Sequence, residues 1–197
     1  MRQFIVLGHR APTTPEFDLD DLAGGAGRLD VLCRCVNAAF FLSHGIRDSV
    51  RLFLVLQDEL TIRLEGSELR YLNPDERNIG SMLRNGIEAA GEAIGHQEVE
   101  SSPGIYGSSR DLKTILEAID SDAYIQLHER GEPIVDAEPT SDSVFVLADH
   151  ESFREPESAL LAEHGVDRIR VGPTPIHANH AIAVTHNFLD TDGYTTY

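Results

Sequence analysis

Val144-Phe-Val-Leu-Ala-Asp149-His150 and Val171-Gly-Pro-Thr-Pro-Ile176-His-Ala-Asn179-His180-Ala181-Ile-Ala-Val-Thr-His186 are the stretches whose reading decides the fold. The first is an apolar run that stops at an acid, the pattern of a buried strand. The second is a turn-rich loop that runs directly into a helix. A third turn, Leu127-His-Glu-Arg-Gly131, follows another strand-like segment. Three such turns can meet at the carboxyl ends of parallel strands, where ligands of open α/β sheets sit. The tail therefore reads as a cofactor site, although composition does not say which cofactor.

Working outward, Gln3–Gly8 reads as the first strand, and Pro12–Pro15 with Gly24-Gly-Ala-Gly27 as a long connection. Arg28–Phe41 is helical, with Leu29, Leu32, Val36 and Phe40 near one stripe and His44-Gly45 as its stop. Arg51–Leu56 and Leu60–Leu64 read as strands joined by Gln57-Asp-Glu, and Ser67–Leu72 as a further short antiparallel strand. Asn73 caps the next helix, which runs to about Ala93, with Pro74 and the following acids suited to its first turn. Ser101–Gly107 reads as loop, Ser109–Ala118 as helix, Ala123–Leu127 as strand and Pro133–Asp136 as an edge piece. Val144–Leu147 is a strand, Glu155–His164 a helix closed by Gly165, Asp167–Val171 a strand and Asn179–Phe188 the last helix. The expectation is an α/β fold with a largely parallel sheet and helices on both faces. Residues 1–197 form a single domain in this reading, because no linker is long enough to divide them.

Charge narrows the setting. The chain of 197 residues carries 33 acids against 16 bases, a net charge of -17, and Lys113 is its one lysine. Such a surface repels itself in dilute salt. Dense salt screens it, since the Debye length falls to about 3 Å at 1 M, so the composition points to a salt-rich cytoplasm. No run is long enough for a membrane span. The start, Met1 to Arg10, reads as a strand and not as a signal peptide. The acidity argues against nucleic acid, but 10 of the 15 arginines fall in residues 1–100. Arginine makes bidentate phosphate contacts that lysine cannot. In dense salt such a patch must rely on shape and hydrogen bonds, because phosphate neutralisation weakens with salt.

Several motifs are missing. There is no Gly-x-Gly-x-x-Gly after a strand and no Walker loop, which disfavours a Rossmann oxidoreductase. No Gly-x-Ser-x-Gly elbow is present, which disfavours a typical hydrolase. Gly24–Gly27 follows no apolar strand and reads as a mobile lid. Cys33 and Cys35 have no second pair to complete a zinc site and read as buried thiols. His150, His177, His180 and His186 lack an acid at zincin spacing, so no metal site is assigned. Arg10 stands just after the first strand, as either a loop cation or a site residue. Arg28, Asp30 and Arg34 open a helix; Asp30 can accept a proton, orient an arginine or simply favour the helix end. Asp75 and Arg77 present the same alternatives.

Taken in order, His9-Arg10-Ala-Pro12, Gly27 to His44, Pro74-Asp-Glu-Arg77, Val144 to His150 and the tail from Val171 to Asp190 resemble the SPOUT-class RNA methyltransferases. Within that class they are most similar to the archaeal family acting on N1 of pseudouridine 54 in tRNA. The resemblance spans almost the whole chain. It implies a deep trefoil knot near the carboxyl end, a pocket for S-adenosylmethionine, a tRNA T-arm substrate and a homodimer, with no DNA partner. Carried over by motif, Leu127 lines the first pocket loop, Ala148 the second, and Val171, Gly172, Ile176 and Ala181 the third. Relatives often have glycine where Ala148 stands. Small residues there allow the backbone to approach a ligand closely. Ala178, Ala181, Ala183 and Phe188 suit close helix packing, at a partner or in a monomeric core.

The implied reaction moves a methyl group from the sulfonium to N1 of pseudouridine in an extruded base. Arg10, Arg28 and Arg34 are the candidates for orienting RNA phosphates or the target base, Arg10 and Arg28 forming the catalytic set with Asp30, and Asp75 and Arg77 are candidates at the same cleft. Asp30 is the candidate for accepting the N1 proton or holding an arginine. An ordinary Asp, with a pKa near ~3.9, is a weak base for this task. Alternatives from the residues alone are methylation of another uridine-derived base in tRNA or ribosomal RNA, or RNA or nucleotide binding without chemistry.

Overall fold

The computed structural model describes residues 1–121, 123–137 and 139–197. Its strands are β1 (Arg2–Gly8), β2 (Phe41–Leu42), β3 (Gly45–Ile46), β4 (Val50–Leu56), β5 (Leu60–Glu65), β6 (Val99–Ser102), β7 (Ile105–Ser108), β8 (Tyr124–Pro133), β9 (Val144–Ala148) and β10 (Asp167–Arg170). Its helices are α1 (Leu29–Phe40), α2 (Glu76–Glu92), α3 (Leu112–Ala118), α4 (Ile134–Ala137), α5 (Glu155–Glu163) and α6 (Ala178–Asp190). Eight strands form one sheet in the order β10-β8-β9-β1-β4-β5-β7-β6. Every pair from β10 to β4 is parallel, and every pair from β4 to β6 is antiparallel.

The sheet is buried on both sides because its central strands carry unbroken apolar runs, Phe4–Leu7, Leu52–Leu56 and Val144–Ala148. Side chains alternate across a strand. Phe4 and Val6 of β1, Leu52, Leu54 and Leu56 of β4, and Phe145 and Leu147 of β9 face α1, α2 and α6. Ile5, Leu7, Phe53, Val55, Val144 and Val146 face α3 and α5. Ala178, Ala181 and Phe188 are buried in the first of these cores, whereas Ala183 is exposed. Three of the four candidates for contact with a partner are therefore used inside this chain.

The chain path sets up the site. After β9 it crosses on the α5 face, passes β8 and lays down β10 on the far side. It then returns as α6 on the opposite face, against α1. Between β8 and β10 the register jumps. Arg168 pairs with Gln126, but Ile169 pairs with Glu132, which leaves residues 127–131 outside the ladder. A Cβ on Gly131 would lie 2.4 Å from the Ile169 nitrogen, so only glycine lets the two backbones pass here.

Five local expectations are corrected. Ser67–Leu72 forms no strand; Leu69 and Leu72 are buried from irregular backbone. Ser101–Gly107 is not loop but most of the β6–β7 hairpin, turned at Gly104 with φ 80°. Its serines and glycine masked the strand pattern. Pro133–Asp136 is no edge strand, because Pro133 ends β8 and Ile134 starts the short turn of α4. Helix α1 stops at Phe40, and the β2–β3 hairpin takes up His44-Gly45. Asp75, not Asn73, caps α2 by accepting from the Asn78 N–H at 2.8 Å. The Asn73 N–H is itself bound, by the Asn78 side chain at 2.8 Å.

Candidate functional site: a cleft at the carboxyl ends of β8, β9 and β10

Parallel pairing puts the carboxyl ends of β8, β9, β1 and β10 along one edge. The out-of-ladder segment 127–131, the turn after β9 and the turn after β10 enclose a cleft of about 210 Å³, partly open to solvent. All six residues singled out for the cofactor line it: Leu127, Ala148, Val171, Gly172, Ile176 and Ala181. Leu147 and Phe153 add apolar surface, and Glu129, Asp149 and Glu151 supply carboxylates. Arg170 and His128 also reach the wall. Burial, and then the positive charge of Arg168, lowers the pKa of His128. A Cβ on Gly172 would meet no atom beyond its chain neighbours closer than 3.9 Å, so this glycine borders open space.

The wall formed by the β9–α5 turn is tied to β1 through His9, which sequence reasoning did not single out by itself. The His9 N–H donates to Asp149 Oδ2 at 2.9 Å, and His9 Nδ1 lies 2.8 Å from Asp149 Oδ1. His9 Nε2 lies 3.1 Å from Glu157 Oε2 on α5. The His9 and Asp149 side chains are only 1% and 3% exposed. Burial works against the charged imidazole, but the hydrogen bonds and charges of Asp149 and Glu157 outweigh it and push the His9 pKa up to about 9. The same pairing holds the Asp149 and Glu157 carboxyls below their usual range, against the upward push of burial. The signal was present in the sequence: His9 follows one strand and Asp149 another. It becomes readable only once Leu7 is known to pair with Ala148.

The arginines gather beside this wall. Arg10, mostly exposed, pairs with Glu151. Gly27 packs onto the Arg10 backbone so closely that a Cβ would overlap its carbonyl oxygen, at 1.7 Å, and its φ is 55°. That contact sets Arg28 at the start of α1, beside Arg10. Arg28 donates to both Asp30 oxygens, at 2.9 and 3.2 Å, and Arg34 reaches the same carboxylate at 2.8 Å. Asp30 is buried while both guanidiniums remain partly exposed. Burial alone would raise the Asp30 carboxyl; Arg28 and Arg34 hold it below the usual carboxylate range. A carboxylate so paired is a weak proton acceptor and a firm anchor for two guanidiniums.

Arg34 also lines a second hollow with Asn37, Pro74, Glu76 and Asn179, where the starts of α2 and α6 approach α1. Asp75 is engaged as the α2 cap, and Arg77 pairs with exposed Asp20. The structure thus brings Arg10, Arg28, Asp30 and Arg34 together and gives Asp75 and Arg77 other partners.

Cys33, Cys35 and His186 are structural. Cys33 and Cys35 are free and buried, and burial pushes the Cys35 thiol up to about 12. His186 is enclosed against Phe4 and bound to the Ala39 carbonyl at 3.1 Å. Burial, then the nearby charges of Arg47 and Arg2, drives its pKa down to about 3, so it stays neutral.

Comparisons with known proteins identify the family of this chain. A family model described as "Putative SAM-dependent RNA methyltransferase" matches residues 1–194. A tRNA (pseudouridine(54)-N(1))-methyltransferase of Haloferax volcanii is 58% identical over 198 residues, covering 100% of both chains. Its counterpart in Halobacterium salinarum is 55% identical, also with full coverage. That of Methanococcoides burtonii is 41% identical over 96% of each chain. The crystal structure of Archaeoglobus fulgidus Nep1 bound to S-adenosylhomocysteine superposes with a TM-score of 0.69. It covers 98% of this chain and 99% of that one at 11% identity, a likeness of fold. With a family model matched almost end to end and close relatives aligned at full length, this chain belongs to the SAM-dependent RNA methyltransferases.

Proposed function

We propose that the chain transfers a methyl group from S-adenosylmethionine to N1 of pseudouridine 54 in the T-loop of tRNA. The observation that carries this reading is the meeting of Leu127, Ala148, Val171, Gly172, Ile176 and Ala181 around one cleft, with an arginine cluster beside it. The donor set suits the cofactor. Leu127, Leu147, Val171 and Ile176 offer apolar surface to an adenine, and Glu129 and Glu151 offer acceptors for ribose hydroxyls and positive charge. When bound, S-adenosylmethionine supplies an electrophilic methyl group on a sulfonium.

The residues of this chain do the rest by placement. Arg10, Arg28 and Arg34 hold RNA phosphates or the edges of the target base. Asp30 fixes the direction of two of them, at no cost of reorganisation when RNA arrives. Alignment of nitrogen, methyl and sulfur is the main source of rate. The Asp30 carboxylate acts through the arginines, and solvent takes the N1 proton. The base leaves the T-loop stack to reach the cleft. We assign the trefoil knot to the crossing of β10 past β8, and a homodimer to the exposed faces of α6 and the β10–α6 turn, where Ile176 is 42% exposed. Residues 1–197 act as one unit in the cytoplasm.

The test is a methyl-transfer assay at high salt on T-arm RNA carrying pseudouridine or uridine at position 54, with products mapped by mass spectrometry. Methylation of the pseudouridine substrate at N1 of that position is expected. Modification confined to another nucleoside, or cofactor binding with no transfer, overturns the assignment.

A further inference from the structure

We propose that His9, clamped between Asp149 and Glu157, is a positioning residue that fixes the β9–α5 turn and thereby the cofactor wall built from it. The proposal rests on the cofactor reading of the cleft and names a residue in a role which that reading does not include.

The argument begins with hydrogen counts. Both ring nitrogens of His9 face carboxylate oxygens, at 2.8 and 3.1 Å. An ionised carboxylate accepts and cannot donate. A neutral imidazole has one N–H, so one nitrogen would point a lone pair at a carboxylate inside a nearly closed site. Only the doubly protonated ring satisfies both contacts. The raised pKa of about 9 agrees with this geometry.

The clamp acts on the cleft through short covalent distances. Asp149 lines the cleft, as do its neighbours Ala148, Glu151, Ser152 and Phe153. Asp149 Oδ1 also accepts from the Glu151 N–H at 2.9 Å, so the carboxylate that grips His9 shapes the turn directly. On the other side, Glu157 Oε2 accepts from the Arg154 N–H at 2.6 Å and anchors the start of α5. His9 therefore joins β1 to both ends of the turn. Its chain neighbour Arg10 pairs with Glu151, which links the same wall to the arginine cluster.

Other charged groups around the ring set the background. Arg154 donates to the His9 carbonyl at 3.2 Å. Asp58, in the β4–β5 turn, lines the small hollow that His9 shares with Glu157. His150 Nδ1 lies 3.4 Å from Asp149 Oδ2, and the charge of Asp149 also bears on Arg28 of the α1 start. None of these supplies a second donor to the Glu157 oxygen that His9 Nε2 meets, apart from the backbone N–H of Arg154.

The sign follows from the direction of the shift. A group whose folded pKa lies above its ordinary value holds its partners below that pKa and releases them as pH rises through it. The clamp is complete at neutral pH and opens around pH 9.

The experiment measures S-adenosylhomocysteine affinity by calorimetry from pH 7 to 10.5, for the native chain and for His9→Asn and His9→Gln. Each amide replaces one of the two donors and carries no charge. At pH 7 both variants should bind roughly tenfold more weakly than the native chain, the worth of one charge-assisted hydrogen bond. The native advantage should vanish as pH passes about 9. Titration of the ligand itself affects all three proteins alike and cancels in the ratio. An advantage that persists unchanged to pH 10.5, or none at pH 7, overturns the proposal. Should the variants not fold, imidazole NMR of the native chain decides: both His9 nitrogens protonated at pH 8 supports the clamp, and a neutral ring there overturns it. A native chain that binds no S-adenosylhomocysteine at pH 7 overturns the cofactor reading itself, and the role of His9 with it.

Discussion

The two halves of the sheet use arginine in opposite ways. In the antiparallel half, Arg63 reaches Glu98 at 2.7 Å, stacks over Tyr106 at 4.1 Å and shares Glu65 with Arg51; Arg110 joins Glu98 at 3.2 Å. These side chains lie across the strands and are mostly covered. At the carboxyl edge of the parallel half, Arg10, Arg28 and Arg34 stand on loops and a helix start, with their guanidiniums partly in water. Strand order explains the difference. Hairpins return the chain at both edges and spread its turns, while parallel strands send every carboxyl end to one side. An acidic chain with 15 arginines thus uses some for cohesion and leaves others partly exposed at the edge of the cleft.

The widest contrast should come from paired substitutions. Arg28→Ala is expected to lower RNA methylation roughly a hundredfold, the scale of a misplaced reacting group, while S-adenosylhomocysteine affinity stays within about twofold. Arg63→Ala is expected to spare methylation in the folded protein and to cost about 1–3 kcal/mol of stability in denaturant titrations. Equal loss of activity in both would erase the distinction between the two arginine groups.

Glycines separate the cleft from its frame. Gly172→Val should weaken S-adenosylhomocysteine binding by roughly tenfold or more and leave the circular dichroism spectrum unchanged. Gly131→Val should impair folding itself, because its Cβ would sit 2.4 Å from the Ile169 nitrogen. Calorimetry and thermal melts distinguish these outcomes. The smallest effect belongs to Asp75→Ala, which removes the α2 cap and should lower stability by about 1 kcal/mol without changing cofactor affinity. A large loss of methylation there would return Asp75 to the RNA-facing group.

The same contrast explains what the sequence disclosed. Parallel strands are buried on both faces, so Phe4 to Leu7 and Val144 to Leu147 read as unbroken apolar runs and were found almost to their ends. Val99-Glu-Ser-Ser is an edge strand with little to bury, and only its pairing with β7 reveals it. Asn73 and Asp75 are both competent caps; the choice between them depends on where Asn78 turns its side chain. The three turns of the cleft were read from the residues and their six cofactor-facing positions from family resemblance, and the structure brings those residues to one hollow. His9 was visible only as part of a motif, since its partners lie 140 and 148 positions away. Contacts at that separation are set by strand order, which periodicity does not encode.

The register jump between β8 and β10 has a consequence for assembly. Residues 127–131 take their place only when Ile169 has settled beside Glu132, and Gly172 stands just two residues beyond Arg170. Two of the hollow's three walls depend on that crossing. On the cofactor reading of the cleft, a half-folded molecule has nowhere to lodge the methyl donor, and ligand affinity becomes a direct reporter of whether the tail has found its seat.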